Sequence, residues 1–363
     1  MAVANLLVVI AGALIIRAVF HAQYGLAESL GFGIPSVGWR CAYLALTCPV
    51  GLLIHELGHF LAGAAAAQHC LSFGIGPVAL SRNVQGWTIR FIPLRHAAVV
   101  NLVPSTFAHF RLQRAFCAAG GPVASLLTGM AFGGLAMHAH SASLFWFWSF
   151  SVQWAVVGLM GLVPFRAGTA RSDGFLLWEV IRGGRACDEV ERGLLTASSD
   201  ATPLRVREWP RDLIRRLGEA PGDPASRRYN FYLAYIHFLD SGDVQTAGQY
   251  MDRAVADGTT GEAAEFAMEA AYFWAFHRQD PDTARQWLDR ENRDAPPWVR
   301  RRAQAAIDRA SSNPARARAQ VTEALAALKA QPACGSHQYE VDRLQEILRD
   351  LDHVPDDVAG DRE

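Results

Sequence analysis

His55-Glu56-Leu57-Gly58-His59 is the stretch whose residue types and spacing can do chemistry. An α-helix turns about 100° and rises about 1.5 Å per residue. Side chains at i and i+4 therefore leave one face, one turn apart. Two imidazoles placed in this way can bind one zinc ion. Glu56 stands beside the first of them, where a carboxylate can take a proton from water that the metal activates. Five-residue matches arise by chance, but this one lies inside an apolar run, 41–67, long enough to cross a bilayer. Ionisable groups at that depth are costly and mark functional sites.

The elements that must position these residues follow from the rest of the chain. At 363 residues it can hold two domains. Hydrophobic content is 51% and charged content 19%, but the averages hide an asymmetry: residues 1–165 are nearly free of acids, whereas 185–363 are rich in Asp, Glu and Arg. The first part reads as membrane and the second as a soluble helical domain. A net charge of −1 argues against nucleic acid as a partner. Cysteines 41, 48, 70, 117, 187 and 334 form no CxxC pair, which suits a reduced, cytosolic face better than a disulfide framework.

Four membrane spans are expected, at about 2–20, 41–67, 113–138 and 142–164. The first reads as an uncleaved helix, because no basic residue precedes it and no small-residue cleavage site is clear. The small side chains around Gly63 in the second permit close helix packing. Thr88, Ile89, Phe91 and Ile92, punctuated by Gly and Pro, predict a small β-hairpin segment over 72–100. An exposed strand there can pair with an extended substrate. Arg82, Arg90, Arg95, Arg111 and Arg114 mark one loop as cytosolic, and Arg166, Arg171, Arg182 and Arg185 mark the segment after the fourth span. Both termini are then cytosolic. High Ala and Arg content points to a bacterial inner membrane.

Two histidines leave a catalytic zinc short of a third protein ligand. Pro164 ends the last span, and Gly168 and Gly174 permit a tight return. Asp173 is the first acid after that span, on the same expected side as the histidines. An Asp-Gly pair is also a plain turn. His69, His96 and His109 read as surface residues, since a catalytic zinc keeps its fourth position for water.

The chain resembles the site-2 protease family, the zinc intramembrane metalloproteases, over about residues 36–180. The resemblance rests on His55-Glu56-Leu57-Gly58-His59, the strand-like segment, Gly121-Pro122 in the next span, and Leu162-x-Pro164 leading to Asp173-Gly174. It implies a Zn²⁺ held by His55, His59 and Asp173, with Glu56 as catalytic base, and peptide-bond hydrolysis in membrane-protein or peptide substrates. It also implies that the β segment presents substrate as an added strand. Gly121, Pro122 and Ser125 are the candidate substrate-binding residues. Gly161 and Ser125 stand where the family usually has asparagine. Asn101-Leu102-Val103-Pro104 mimics the lost motif, but no Asp-Gly follows it, so it reads as a decoy.

The domains expected are a membrane-embedded metalloprotease domain at 1–195, a linker at 196–226 with a short helix, 211–217, inside it, a cytosolic tetratricopeptide-like domain at 227–350 and a flexible tail at 351–363. Turns at Gly242-Asp243, Asp280-Pro281 and Asn313-Pro314, with Ala247, Ala284 and Ala317 following, set a repeat near that of such helix pairs. The fold class expected is mainly α: a polytopic membrane protein of four transmembrane helices and a small β-hairpin segment, plus a soluble α-solenoid that either binds a protein or peptide or only stabilises or regulates the membrane part. The rival reading is a catalytically silent membrane adaptor that acts through its repeats.

Overall fold

The computed structural model of the protein describes residues 37–83, 86–91, 98–139, 142–167, 170–256, 264–290 and 295–353, with isolated positions 17, 18, 21, 25, 28 and 29. The expected first span, apart from residues 17 and 18, and the tail beyond 353 lie outside them. The chain divides into two compact units, Met1–Glu191 and Arg192–Glu363.

In the first unit, α1 (Val37–Ala65), α2 (Phe110–His138) and α3 (Ala142–Leu162) pack in sequence order. Among the described residues, two helices are long and apolar enough to cross a membrane, Ala45–Ala65 and Phe110–His138; the apolar stretch Trp146–Leu162 of α3 is shorter. Large apolar side chains stay exposed along both: Leu46, Val50, Leu53, Leu57 and Leu61 on α1, and Phe116, Val123, Leu127 and Met130 on α2. Their three- and four-residue spacing makes one stripe per helix. Such a stripe is unfavourable in water and neutral in lipid.

The crossing of α1 and α2 is set by Gly58 and Gly120. A Cβ on Gly58 would stand 2.4 Å from the Gly120 carbonyl oxygen, and one on Gly120 would stand 2.5 Å from that of Gly58. Backbone meets backbone there, as small residues allow between membrane helices. Gly58 is thus the packing residue of the five-residue motif.

Between α1 and α2 the chain forms a four-stranded antiparallel sheet, where the sequence suggested a hairpin. Strands β1 (Gln68–Ile75), β2 (Val78–Asn83), β3 (Gly86–Phe91) and β4 (Ala98–Pro104) lie in the order β3-β2-β1-β4. Asn101-Leu102-Val103-Pro104, which resembles a stray motif, is the end of β4. Its apolar alternation pairs it with β1, and Leu102 packs with Cys70 and Cys117, joined by Phe60 and Phe73. That cluster fixes β4 against both motif-bearing helices.

α4 (Asp173–Arg182) and α5 (Arg185–Ala201) follow. The second unit continues with α6 (Arg211–Glu219), α7 (Pro224–Asp240), α8 (Val244–Ala256), α9 (Ala264–Phe276), α10 (Pro281–Asp289), α11 (Pro297–Ala310), α12 (Pro314–Lys329) and α13 (Gly335–His353). The stretch expected as a linker, 196–226, has its expected short helix as α6, holds also the end of α5 and a short 3-10 turn, and buries Trp209, Leu213, Ile214 and Leu217. Pro210 and Pro224 stand at the starts of α6 and α7. Asp223, Asp280 and Asn313 each cap a helix whose first residue is Pro224, Pro281 or Pro314. Packing pairs α7 with α8, α9 with α10, and α11 with α12.

Candidate metal centre

α1 presents His55 and His59 one turn apart, with ring centroids 4.9 Å apart and planes at 84°. Their Nε2 atoms aim at the two oxygens of one carboxylate: His55 lies 3.0 Å from Asp173 Oδ2, and His59 3.2 Å from Oδ1. α2 holds both rings from behind. His59 Nδ1 donates to the Cys117 carbonyl at 2.7 Å, and His55 Nδ1 lies 2.9 Å from the hydroxyl of buried Ser125. A proton held on Nδ1 leaves the Nε2 lone pair for a metal. Gly121 keeps the space open, since a Cβ there would stand 2.4 Å from His59 Nε2 and 2.7 Å from His55 Nε2.

Asp173 arrives by a clamped return. α3 ends at Leu162, and two-residue strands β5 (Arg166–Ala167) and β6 (Ala170–Arg171) pair antiparallel. The Ser172 hydroxyl donates to the Val163 carbonyl at 2.8 Å and accepts from the backbone N–H of Phe165 and of Phe175. One side chain therefore ties the end of α3 to the start of α4 while capping the latter. Gly174 permits the approach: a Cβ there would stand 2.1 Å from the Leu162 carbonyl oxygen. Burial alone would raise the Asp173 carboxyl; the hydrogen bonds and charge of His55 and His59 outweigh it and hold the group at about 2.

A cavity of about 480 Å³ opens onto this cluster, lined by His55, Glu56, His59 and Asp173 together with Val99 and Val100 of β4. Arg114 and Arg171 also reach it. Arg171 is paired with Glu179 at 2.8 Å. The Arg114 Nε is buried without a hydrogen-bond partner among the described residues.

The donor atoms of His55, His59 and Asp173 all lie within 4.8 Å of one another. Two imidazole nitrogens and a carboxylate oxygen are the donor set of a catalytic zinc, which leaves one position open. The residues present fit that ion. The structure thus brings together His55, Glu56, His59 and Asp173. Gly121, Pro122 and Ser125, expected to touch substrate, are absent from the cavity wall; Gly121 and Ser125 back the imidazoles instead. His69 and His109 stand apart from the cluster, and His96 lies outside the described residues. Sequence reasoning missed the Cys117 carbonyl and the tie from Ser125 to His55. A backbone acceptor leaves no residue-type signal. Arg114 was legible only as a topology charge.

The family model described as Peptidase family M50 matches residues 43–336. No curated protein and no solved structure matches the chain.

Proposed function

The chain belongs to peptidase family M50, a family of membrane metalloproteases, and from that premise we propose that it is a zinc-dependent endopeptidase of the site-2 type, cleaving membrane-associated proteins or peptides within the bilayer. The observation that carries this reading is the convergence of two imidazoles on one carboxylate across 118 residues of chain, beside Glu56 in an open cavity.

His55, His59 and Asp173 would hold the zinc, and Ser125 and the Cys117 carbonyl would orient the imidazoles. Zinc bound there supplies the Lewis acidity that activates water and polarises the scissile carbonyl. Glu56 takes a proton from the attacking water. The new carbon–oxygen bond forms as the carbon–nitrogen bond breaks, and Glu56 returns the proton to the leaving amine. Arg114 donates from the cavity wall to a substrate oxygen. β4 pairs only with β1 among the described strands, so its outer edge can take an extended substrate segment beside the cavity. Holding the substrate extended exposes a carbonyl that a helix would keep hydrogen-bonded.

The chain crosses a bacterial inner membrane four times, with both termini cytosolic. The helical unit is read as a tetratricopeptide-like solenoid that recruits protein or peptide for regulated intramembrane proteolysis. The test is cleavage of a synthetic transmembrane peptide by full-length protein in liposomes. Glu56→Gln is expected to lower the rate by about 10²–10⁴-fold with zinc content unchanged. Equal rates in the two proteins, or no cleavage by wild type with zinc bound, would establish the silent adaptor instead.

A further inference from the structure

Arg114, on the wall of the metal-site cavity, carries a charge that the described chain does not cancel. Its Nε is buried without a hydrogen-bond partner, and it makes no ion pair among the described residues. A guanidinium withdrawn from water in this way is costly until a partner arrives. The neighbouring chain supplies none, since from Leu57 to Ser172 the sequence holds no Asp or Glu. Glu56 and Asp173 are the acids of the cavity wall, and together they balance a divalent ion held between the donors. Arg171, the other cavity arginine, is already paired with Glu179. The surplus positive charge of the cavity therefore sits on Arg114.

Its place on α2 decides which part of a substrate it meets. Arg114, Cys117, Ala118 and Gly121 follow the three-, four- and seven-residue spacing of one helix face. Cys117 and Ala118 line the cavity with it, and Gly121 lies against both imidazoles. Arg114 is thus about 10 Å along the helix axis from Gly121, toward the start of α2. A scissile carbonyl belongs beside the imidazoles and Glu56, at the level of Gly121. An extended substrate advances about 3.3 Å per residue, so the group that reaches Arg114 comes from a residue up to about three positions away. Pairing along β4, whose Val99 and Val100 share the cavity wall, engages the substrate backbone and leaves its side chains to discriminate. A lysine or arginine there is repelled, and an amide leaves the charge standing. A carboxylate cancels it and accepts from the guanidinium fork.

We propose that Arg114 is a specificity residue: it selects substrates with an aspartate or glutamate within three residues of the scissile bond, by donating to that carboxylate. This rests on the reading of the cavity as a peptide-hydrolysing site and names the chemistry of what enters it.

The test uses full-length Glu56→Gln protein in zwitterionic micelles and fluorescence anisotropy of labelled transmembrane peptides. One glutamate is walked along the peptide, and each peptide has a twin with glutamine at the same place. At one or two positions the glutamate peptide is expected to bind at least about tenfold more tightly than its twin. Arg114→Gln should bring that peptide down to the level of its twin. Arg114→Glu should transfer the preference to a lysine at the same position, an exchange that a merely structural arginine would not give. The circular dichroism spectrum and zinc content of both variants should match the parent. The proposal is overturned by equal binding of glutamate and glutamine at every position, by no saturation up to about 1 mM, or by an Arg114→Gln loss that the two twins share alike. Wild-type cleavage rates separate this proposal from the hydrolytic reading. Glutamate-dependent binding without cleavage sinks that reading and upholds the role of Arg114, whereas cleavage indifferent to glutamate does the reverse.

Discussion

Both units bury ionisable groups, and they do so in opposite ways. In the helical unit, Arg302 and Glu269 are enclosed and spend their hydrogen-bonding capacity on each other and on Tyr235, Tyr339 and Glu340. In the first unit, His55, His59 and Asp173 converge from two directions on a cavity that reaches the outside, with Gly121 withholding a side chain from the space between. A closed network of charges fixes a fold. Convergent nitrogen and oxygen donors beside an open volume offer a place for a cation. The surfaces differ in the same sense. Among the described residues, the large apolar side chains left exposed fall in the first unit, save Tyr229 and Val244.

The comparison breaks first at Gly121. Gly121→Ala puts a methyl where the imidazole nitrogens point, and purified protein should lose its zinc, with affinity down by more than about 100-fold by metal analysis. Gly134→Ala on the same helix, where a Cβ meets nothing within 4 Å, should keep it. Next is Arg302→Ala, which strands two carboxylates in the core and should cost the helical unit about 3–5 kcal/mol in denaturant unfolding, with zinc content unaffected.

Burial, with Arg343, Arg302 and Arg309 nearby, lowers the His277 imidazole to about 4. The folded state thus binds this proton later than the unfolded state does. Its contribution to stability is complete above about pH 6.5 and drains away as pH falls toward 4, reaching about 3 kcal/mol. Hydrogen exchange in Ala264–Phe276 should accelerate over that window, and His277→Gln should flatten the dependence. The smallest effect is expected at Ser125. Ser125→Ala frees the His55 ring without filling the site, and zinc affinity should fall by about 10–100-fold in competition with a chelator.

Much of the centre was legible because local rules dictate it. The i, i+4 spacing puts two rings on one face, and Pro164, Gly174 and an isolated acid announce a return. What is set by tertiary contact was hidden. Ser125 was grouped with substrate because it stands where the resembled family has an asparagine near the substrate path, but its hydroxyl meets a ring 70 residues away. β4 was masked by its likeness to a motif, although Val99, Val100 and Leu102 are ordinary strand residues. The stretch 196–226 looked like a linker because Pro and Ser mark both loops and helix starts, and only burial of Trp209 and Ile214 tells them apart. The family match establishes a membrane metalloprotease.

The clamp at Ser172 has a consequence in time. His55 leaves the ribosome 118 residues ahead of Asp173, and nothing earlier in the described chain completes the donor set. A nascent or truncated chain that stops short of this turn carries both imidazoles without their carboxylate. The three donors can therefore meet only once the whole helical hairpin has been made and closed.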